Sequence, residues 1–325
     1  MVSTREGAGR GHPVPRPSRG TGRSSRRPLA ALLGFAVVLL LVAGDMALLT
    51  GRMTELRVDL HDGPAAGTTW VLVGLDSRSD LAPGSAAQFG TTEQVPGSRA
   101  DVVLVLRDDG ERTTALSIPR DVVVNAPPGP SRLALTWNDG PQQTIDALCG
   151  LGIPADHLVT IDLAGFPDVV DAAGGLDVDV PAPVRDPAAG LLLTRAGRRH
   201  VDGATALAMV RSRHPEYLVG GAWQPAAVDP DGRAMSAGAV LGALSRRIRG
   251  TWSQPWRLQA LAWTASGALS VDDRTSPADL ASLPGMDLDA VSVLPVGDPV
   301  GGTLARFPTA DTREALAAAG LSCTP

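Results

Sequence analysis

SRADVVLVLRDDGERTTALSIPRD, residues 98–121, decides how the rest of this chain is read. Two runs of β-formers, 101–106 and 112–118, flank Arg107-Asp108-Asp109-Gly110. An Asp-Gly pair between two such runs predicts a β-hairpin. Arg99 and Asp101 stand at the start of the first run, and Pro119 cuts off the second, with Arg120 and Asp121 directly behind it. A Pro-Arg-Asp turn is either a plain strand terminator or the place where a rigid sheet presents an arginine to an anion.

Working outward, TTWVLVGL at 68–75 is a short apolar run that predicts a buried strand, and 76–99 is a long loop rich in Gly, Pro, Ser and Thr. Downstream, 141–149 has helical spacing and 157–162 reads as a strand. GFPDVVDAAGG at 165–175 reads as a helix stopped by paired glycines, and 176–180 alternates as a strand does. The helix predicted at 202–210 opens on Asp202, a good N-cap. A longer amphipathic helix covers 236–249, and a late strand lies at 291–294. Strands alternating with helices predict an α/β fold around a mixed central β-sheet flanked by helices. With no repeat and no interdomain linker after residue 60, one domain is expected over 68–325, behind a linker at 51–67.

The chain has 325 residues, 44% of them hydrophobic and 3% aromatic, enough for a substantial core. All 29 of its basic side chains are arginine, a bias that makes arginine abundance alone uninformative. Residues 1–28 hold seven arginines against the single acid Glu6, in a Pro-, Gly- and Ser-rich context that predicts a disordered tail. Setting that segment aside leaves 22 arginines against 33 acids, an acidic body that argues against a nucleic-acid partner. Residues 29–50 form an apolar stretch of about 20 residues, the length a bilayer core demands of a helix. The upstream arginines would then hold the N-terminus in the cytoplasm and place the body outside the cell membrane, single-pass. A signal peptide cleaved near Val42-Ala43-Gly44 is the competing reading. Outside the membrane the two cysteines, Cys149 and Cys323, are either a disulfide or two unrelated thiols.

Nucleophile elbows, zinc-protease motifs, phosphate loops and dinucleotide turns are all missing from the sequence, and the five histidines share no ligand spacing. His157, beside a strand, reads as structural. What remains is a set of carboxylates and arginines at the ends of elements: Asp76 and Arg78 after the first strand, Arg99 and Asp101, then Arg120 and Asp121. Arg211 and Arg213 close a helix in VRSRH, and Arg233 lies in DPDGR. Each alone is more simply a surface ion pair of little weight. Together they suit a phosphorylated ligand, because a guanidinium binds phosphate oxygens in a bidentate way and stays charged. Mg²⁺ is bound by one or two carboxylates plus phosphates, so a diphosphate with Mg²⁺ fits this set better than a bare anion. Arg211 and Arg213 make a fork if the segment is extended, and diverge if the helix continues through them.

LVGLDSR, SRADVVLVL, LSIPRD, IPADHLVTIDLAGFPDVVDAAGGLDVDVP and HVDGATALAMVRSRH, in that order, resemble the LytR–CpsA–Psr family from about residue 68 to 250. The resemblance implies an extracytoplasmic phosphotransferase that moves a glycopolymer from a polyprenyl-diphosphate carrier onto peptidoglycan. It implies an apolar cavity for the polyprenyl chain. Asp76 and Asp101 would hold Mg²⁺, with Mn²⁺ an alternative, and Arg78, Arg99, Arg120, Arg211, Arg213 and Arg233 would grip the diphosphate. Arg120, Asp121, Arg211 and Arg213 would serve catalysis, Asp121 as the candidate general base. The family's Asp-x-x-Arg followed by Arg-Gln-Gln is altered here: Arg233 matches, the aspartate shifts to 229 or 231, and Met235, Ser236 and Ala237 stand near the rest. A non-catalytic binder of lipid-linked glycans and a pyrophosphatase acting on the same carrier are the alternatives.

Overall fold

A computed structural model describes residues 26–64, 66–77, 97–226, 231–286, 288 and 291–323. The chain runs through α1 (Arg26–Thr50), β1 (Thr54–Leu56), β2 (Thr68–Leu75), β3 (Ala100–Asp108), β4 (Thr113–Ile118), the β5–β6 hairpin (Val123–Ala126, Gly129–Arg132), α2 (Leu133–Thr136), α3 (Pro141–Leu151), β7 (His157–Asp162) and α4 (Gly165–Ala172). It continues through β8 (Leu176–Val180), β9 (Val184–Asp186), β10 (Leu191–Leu193), β11 (Gly197–Val201), α5 (Gly203–Arg211), β12 (Glu216–Val219), β13 (Ala222–Pro225) and α6 (Gly232–Thr251). Then come α7 (Pro255–Ala268), β14 (Leu269–Asp272), α8 (Pro277–Leu280), β15 (Val291–Val293) and α9 (Ala310–Ala318).

The hairpin read from 98–121 lies within a seven-stranded sheet of order β1-β14-β7-β2-β3-β4-β15. Pairing is mixed: β2–β3, β3–β4 and β14–β7 are antiparallel, and β2–β7, β4–β15 and β1–β14 are parallel. Alternation along the strands decides the layers. Val71, Val73, Val103, Val105, Leu116 and Ile118 pack on one face with Leu133, Ile145 and Leu148 of α2 and α3. Trp70, Leu104, Leu106 and Ala115 pack on the other, with Leu241 of α6 against them. Both faces are therefore dry, which is why these strands read as near-continuous apolar runs. His157 stacks on Trp70 at 4.1 Å and hydrogen-bonds Thr275 at 2.7 Å, a structural role.

Residues 51–67 correct the expectation of a bare linker. β1 pairs with β14, opposing Thr54 to Ser270, and Val58 and Leu60 are buried in the main core. The unit Met46–Pro325 is compact. Cys149 on α3 and Cys323 are joined as a disulfide, which ties the segment after α9 to the body. The segment 29–50 lies within the 25-residue α1, about 38 Å long at 1.5 Å per residue. Among the described residues no helix is long and apolar enough to cross a membrane. Two cavities, of about 190 and 250 Å³, have mostly polar linings, so neither is the apolar cavity expected for a polyprenyl chain.

Candidate diphosphate site

The site begins with a fault in the β2–β3 ladder. Gly74 opposes Val102 and Leu75 opposes Ala100, so Asp101 is an extra residue on β3. Such a bulge bends the strand and re-aims a side chain. The Arg99 carbonyl accepts from the backbone N–H of both Asp76, at 2.9 Å, and Asp101, at 3.0 Å. One carbonyl thus fixes the two carboxylate-bearing residues side by side. Asp76 is almost fully buried.

Arg120 enters from the neighbouring strand. Pro119 ends β4, the Val122 N–H donates to the Pro119 carbonyl at 3.0 Å, and the Arg120 carbonyl accepts from Ala134 of α2 at 2.9 Å. The turn is therefore closed on itself and pinned to a helix. Only 10% of the Arg120 side chain is exposed. Its Nη1 donates to Asp101 Oδ1, and its Nε to Asp121 Oδ2 at 3.4 Å. Asp121 Oδ1 accepts in turn from Arg132 Nη1 at 3.0 Å. Placed between two guanidiniums, the Asp121 carboxylate orients Arg120.

The third approach is from VRSRH. α5 ends at Arg211, and Ser212 leaves the helix with ψ 125°, so the chain is extended where Arg213 stands. Asp186, buried at the end of β9, holds this corner: its Oδ2 accepts from Ser212 Oγ at 2.9 Å and from the N–H groups of Arg213 at 2.8 Å and His214 at 2.9 Å. Burial pushes the Asp186 carboxyl up, but these bonds and those from the 188–189 loop outweigh it and hold it below the ordinary value. From this corner Arg213 Nη2 reaches Asp101 Oδ2 at 3.1 Å.

Asp101, Arg120, Asp121 and Arg213 therefore form one network, with Asp76 and Arg99 beside it through the backbone and Arg211 at the helix end next to Arg213. Arg78 lies outside the described residues. Arg233 sits in the first turn of α6, its side chain also outside them. Asp231, the displaced acid of DPDGR, pairs with the buried Arg306, whose N–H donates to the Asp121 carbonyl at 3.1 Å. Arg132, Asp186 and Arg306 escaped the sequence reading, because each reaches the network through a contact distant in sequence.

The donor set bears on a divalent cation. Asp76 offers a buried hard-oxygen carboxylate at the strand end, which suits Mg²⁺. Both oxygens of Asp101 already accept from arginines, so Asp101 fits a cation only when those arginines turn to another anion.

The LytR_cpsA_psr family model matches residues 53–221. The probable cell wall biosynthesis protein LcpB of Corynebacterium glutamicum is 40% identical over 156 residues, 46% of this chain and 36% of that one. The polyisoprenyl-teichoic acid–peptidoglycan teichoic acid transferase TagT of Bacillus subtilis is 34% identical over 152 residues, 43% of this chain and 47% of that one. The chain thus spans less than half the length of these two relatives. A solved LytR-Csp2A-Psr enzyme from Actinomyces oris superposes with a TM-score of 0.69 at 37% identity, covering 83% of this chain and 97% of that one. On these grounds the chain belongs to the LytR–CpsA–Psr family.

Proposed function

We propose that this chain is a membrane-anchored phosphotransferase that moves a glycopolymer from a polyprenyl-diphosphate carrier to a hydroxyl of peptidoglycan. The observation that carries the reading is Asp101 clasped by Arg120 and Arg213, two guanidiniums from distant segments converging on one anion. A diphosphate presents the same charge in larger measure, and its oxygens can replace the carboxylate as the guanidiniums' partner. Family membership, and the transferase name that TagT carries, support the reaction class.

In the proposed reaction the acceptor oxygen forms a bond to the sugar-proximal phosphorus and the bond to the bridging oxygen breaks. Polyprenyl phosphate leaves, and the hydroxyl proton passes to solvent. Arg120 and Arg213 take up the charge growing on the leaving phosphate, and Asp121, Arg132 and Asp186 keep those guanidiniums in place. Asp76, with Asp101 once its arginines have turned to the phosphates, would hold Mg²⁺ or Mn²⁺. When bound, the cation supplies further neutralisation of phosphate charge.

The seven arginines before residue 28 support a cytoplasmic N-terminus, and the exposed Phe35, Leu40, Leu41 and Leu48 of α1 support burial of that helix in lipid. The test uses the full chain in detergent with a synthetic polyprenyl-diphosphate sugar, peptidoglycan fragments and Mg²⁺. Release of polyprenyl phosphate coupled to a glycan product, lost in Arg120→Ala and Asp76→Ala, supports the transferase. Release without a glycan product makes the protein a pyrophosphatase. Tight binding without release makes it a binder, the reading favoured by the commitment of Asp231 to Arg306 in the altered DPDGR segment.

A further inference from the structure

Three of the six tryptophans fall within a dozen residues: Trp252 caps α6, and Trp256 and Trp263 lie on α7. All three are exposed, at 56%, 70% and 46%. Their helix is unusual for one half in water. PWRLQALAWTASGA carries a single charge, Arg257, and its outward stripe is Trp256, Ala260, Trp263 and Gly267. Its inward side buries Leu261 and packs Ala265 and Ala268 against α4. An exposed aromatic stripe of this kind ordinarily marks a contact surface, and Trp256, Ala260, Trp263 and Gly267 all stay exposed here.

Beside this stripe the last turns of α6 bound a cavity of about 190 Å³ lined by Arg198, Arg246, Arg247 and Arg257, with Asp177 the one acid among its described lining residues. Asp177 is already shared between Arg198, at 3.2 Å, and His200, at 3.1 Å. Arg247 is aligned by the carbonyls of Ala173, at 2.9 Å, and Gly174, at 2.8 Å. The cavity is therefore a cationic recess next to an aromatic face. α6 is 20 residues long, so about 30 Å separates this end from the first turn, where Asp231 meets Arg306 and the diphosphate site.

The surface is also tied to the end of α1. Two residues beyond Thr50, Arg52 lies over the Trp263 ring at 3.9 Å, and its Nε donates to Ser266 at 3.3 Å. The Arg52 side chain thus packs on α7. We infer that α7 and the arginine recess form a second membrane contact: Trp252, Trp256 and Trp263 enter the headgroup layer, and the recess takes the phosphate of an anionic phospholipid. This rests on the reading of α1 as an anchor. Indole rings favour that layer because one edge is apolar and the other polar, and arginines add attraction to anionic lipid.

The test places the full chain in vesicles of phosphatidylcholine and phosphatidylglycerol, with and without brominated acyl chains, and reads tryptophan emission. α1 has no tryptophan, so the signal reports the body alone. Bromination should remove roughly half of the emission, the share of the exposed tryptophans. Most of that loss should vanish in Trp256→Phe/Trp263→Phe, while basal transfer stays unchanged. Omitting phosphatidylglycerol should weaken the quenching, and Arg246→Gln/Arg257→Gln should remove that headgroup dependence. Equal emission in both lipids from protein that floats with the vesicles overturns the second contact and leaves the anchor standing. Failure to float overturns the anchor and this inference with it. An emission shift caused by peptidoglycan fragments, without quenching by bromine, overturns it and assigns the surface to glycan.

Discussion

Arg107 and Arg120 belong to the same hairpin, one near its closed end and the other just beyond its open end, and they are held in opposite ways. Arg107 is 5% exposed and donates to Thr69 Oγ1 at 2.9 Å and to the carbonyls of Pro64 and Ala66. Asp156 lies 3.8 Å from its guanidinium. Arg120 donates instead to two carboxylates, Asp101 and Asp121. Carbonyls of a folded loop cannot leave their arginine unless the loop unfolds. Carboxylate side chains can rotate away, and a more highly charged anion can replace them. Arginine burial alone therefore says nothing of function; the mobility of the partner does.

The comparison breaks first at Arg120. Replacement by alanine should lower transfer by about 10²–10³-fold, the cost of one lost donor to a charged transition state, and leave the melting temperature near that of the parent. A matching loss of stability would make Arg120 another Arg107. Arg107→Met should behave the other way, losing about 2–3 kcal/mol in denaturant titration, with transfer per folded molecule unchanged. Arg132→Ala sharpens the distinction, since it touches Asp121 rather than any ligand. It should cost about tenfold in kcat with little change in KM, and Arg132→Lys should restore part of it. The smallest effect is on acidification. The Asp186 carboxyl lies below its ordinary 3.8 in the folded chain, so its hold on the 212–214 corner is complete above that pH. The hold is lost only as pH falls through the lower folded value. Amide exchange at Arg213 and His214 should stay slow at pH 4 and quicken below, and early quickening would show that Asp186 is not the clamp.

Much of the sheet was legible because its strands are buried on both faces. The runs 68–75 and 157–162 begin and end where β2 and β7 do, and the alternating 176–180 coincides with β8 of a separate two-stranded sheet. Asp202 caps α5 as expected, accepting from Thr205 at 2.9 Å. The three-residue β1, β9 and β10 carry no periodicity long enough to read; tertiary pairing makes them. The site divides the same way. Arg99, Asp101 and Arg120 fall at one end of the sheet as soon as 98–121 is folded as a hairpin. Arg213 reaches Asp101 from 112 residues away; residue chemistry grouped the two, but no spacing in the sequence predicts their contact. Asp186 looked like any other acid in VRD, since its value lies in the backbone it gathers.

The edges of the sheet carry a consequence for how this protein is made. Thr54 pairs with Ser270, Ala115 with Val291, and Cys149 is bonded to Cys323, 174 residues on. A ribosome releasing residues one after another would therefore deliver β1 and β4 long before their partners β14 and β15 exist. Until the last third emerges, apolar strand faces and an open edge at β4 stay uncovered, the state most prone to misassembly. Pulse-labelled chains truncated before residue 269 should therefore be protease-sensitive throughout.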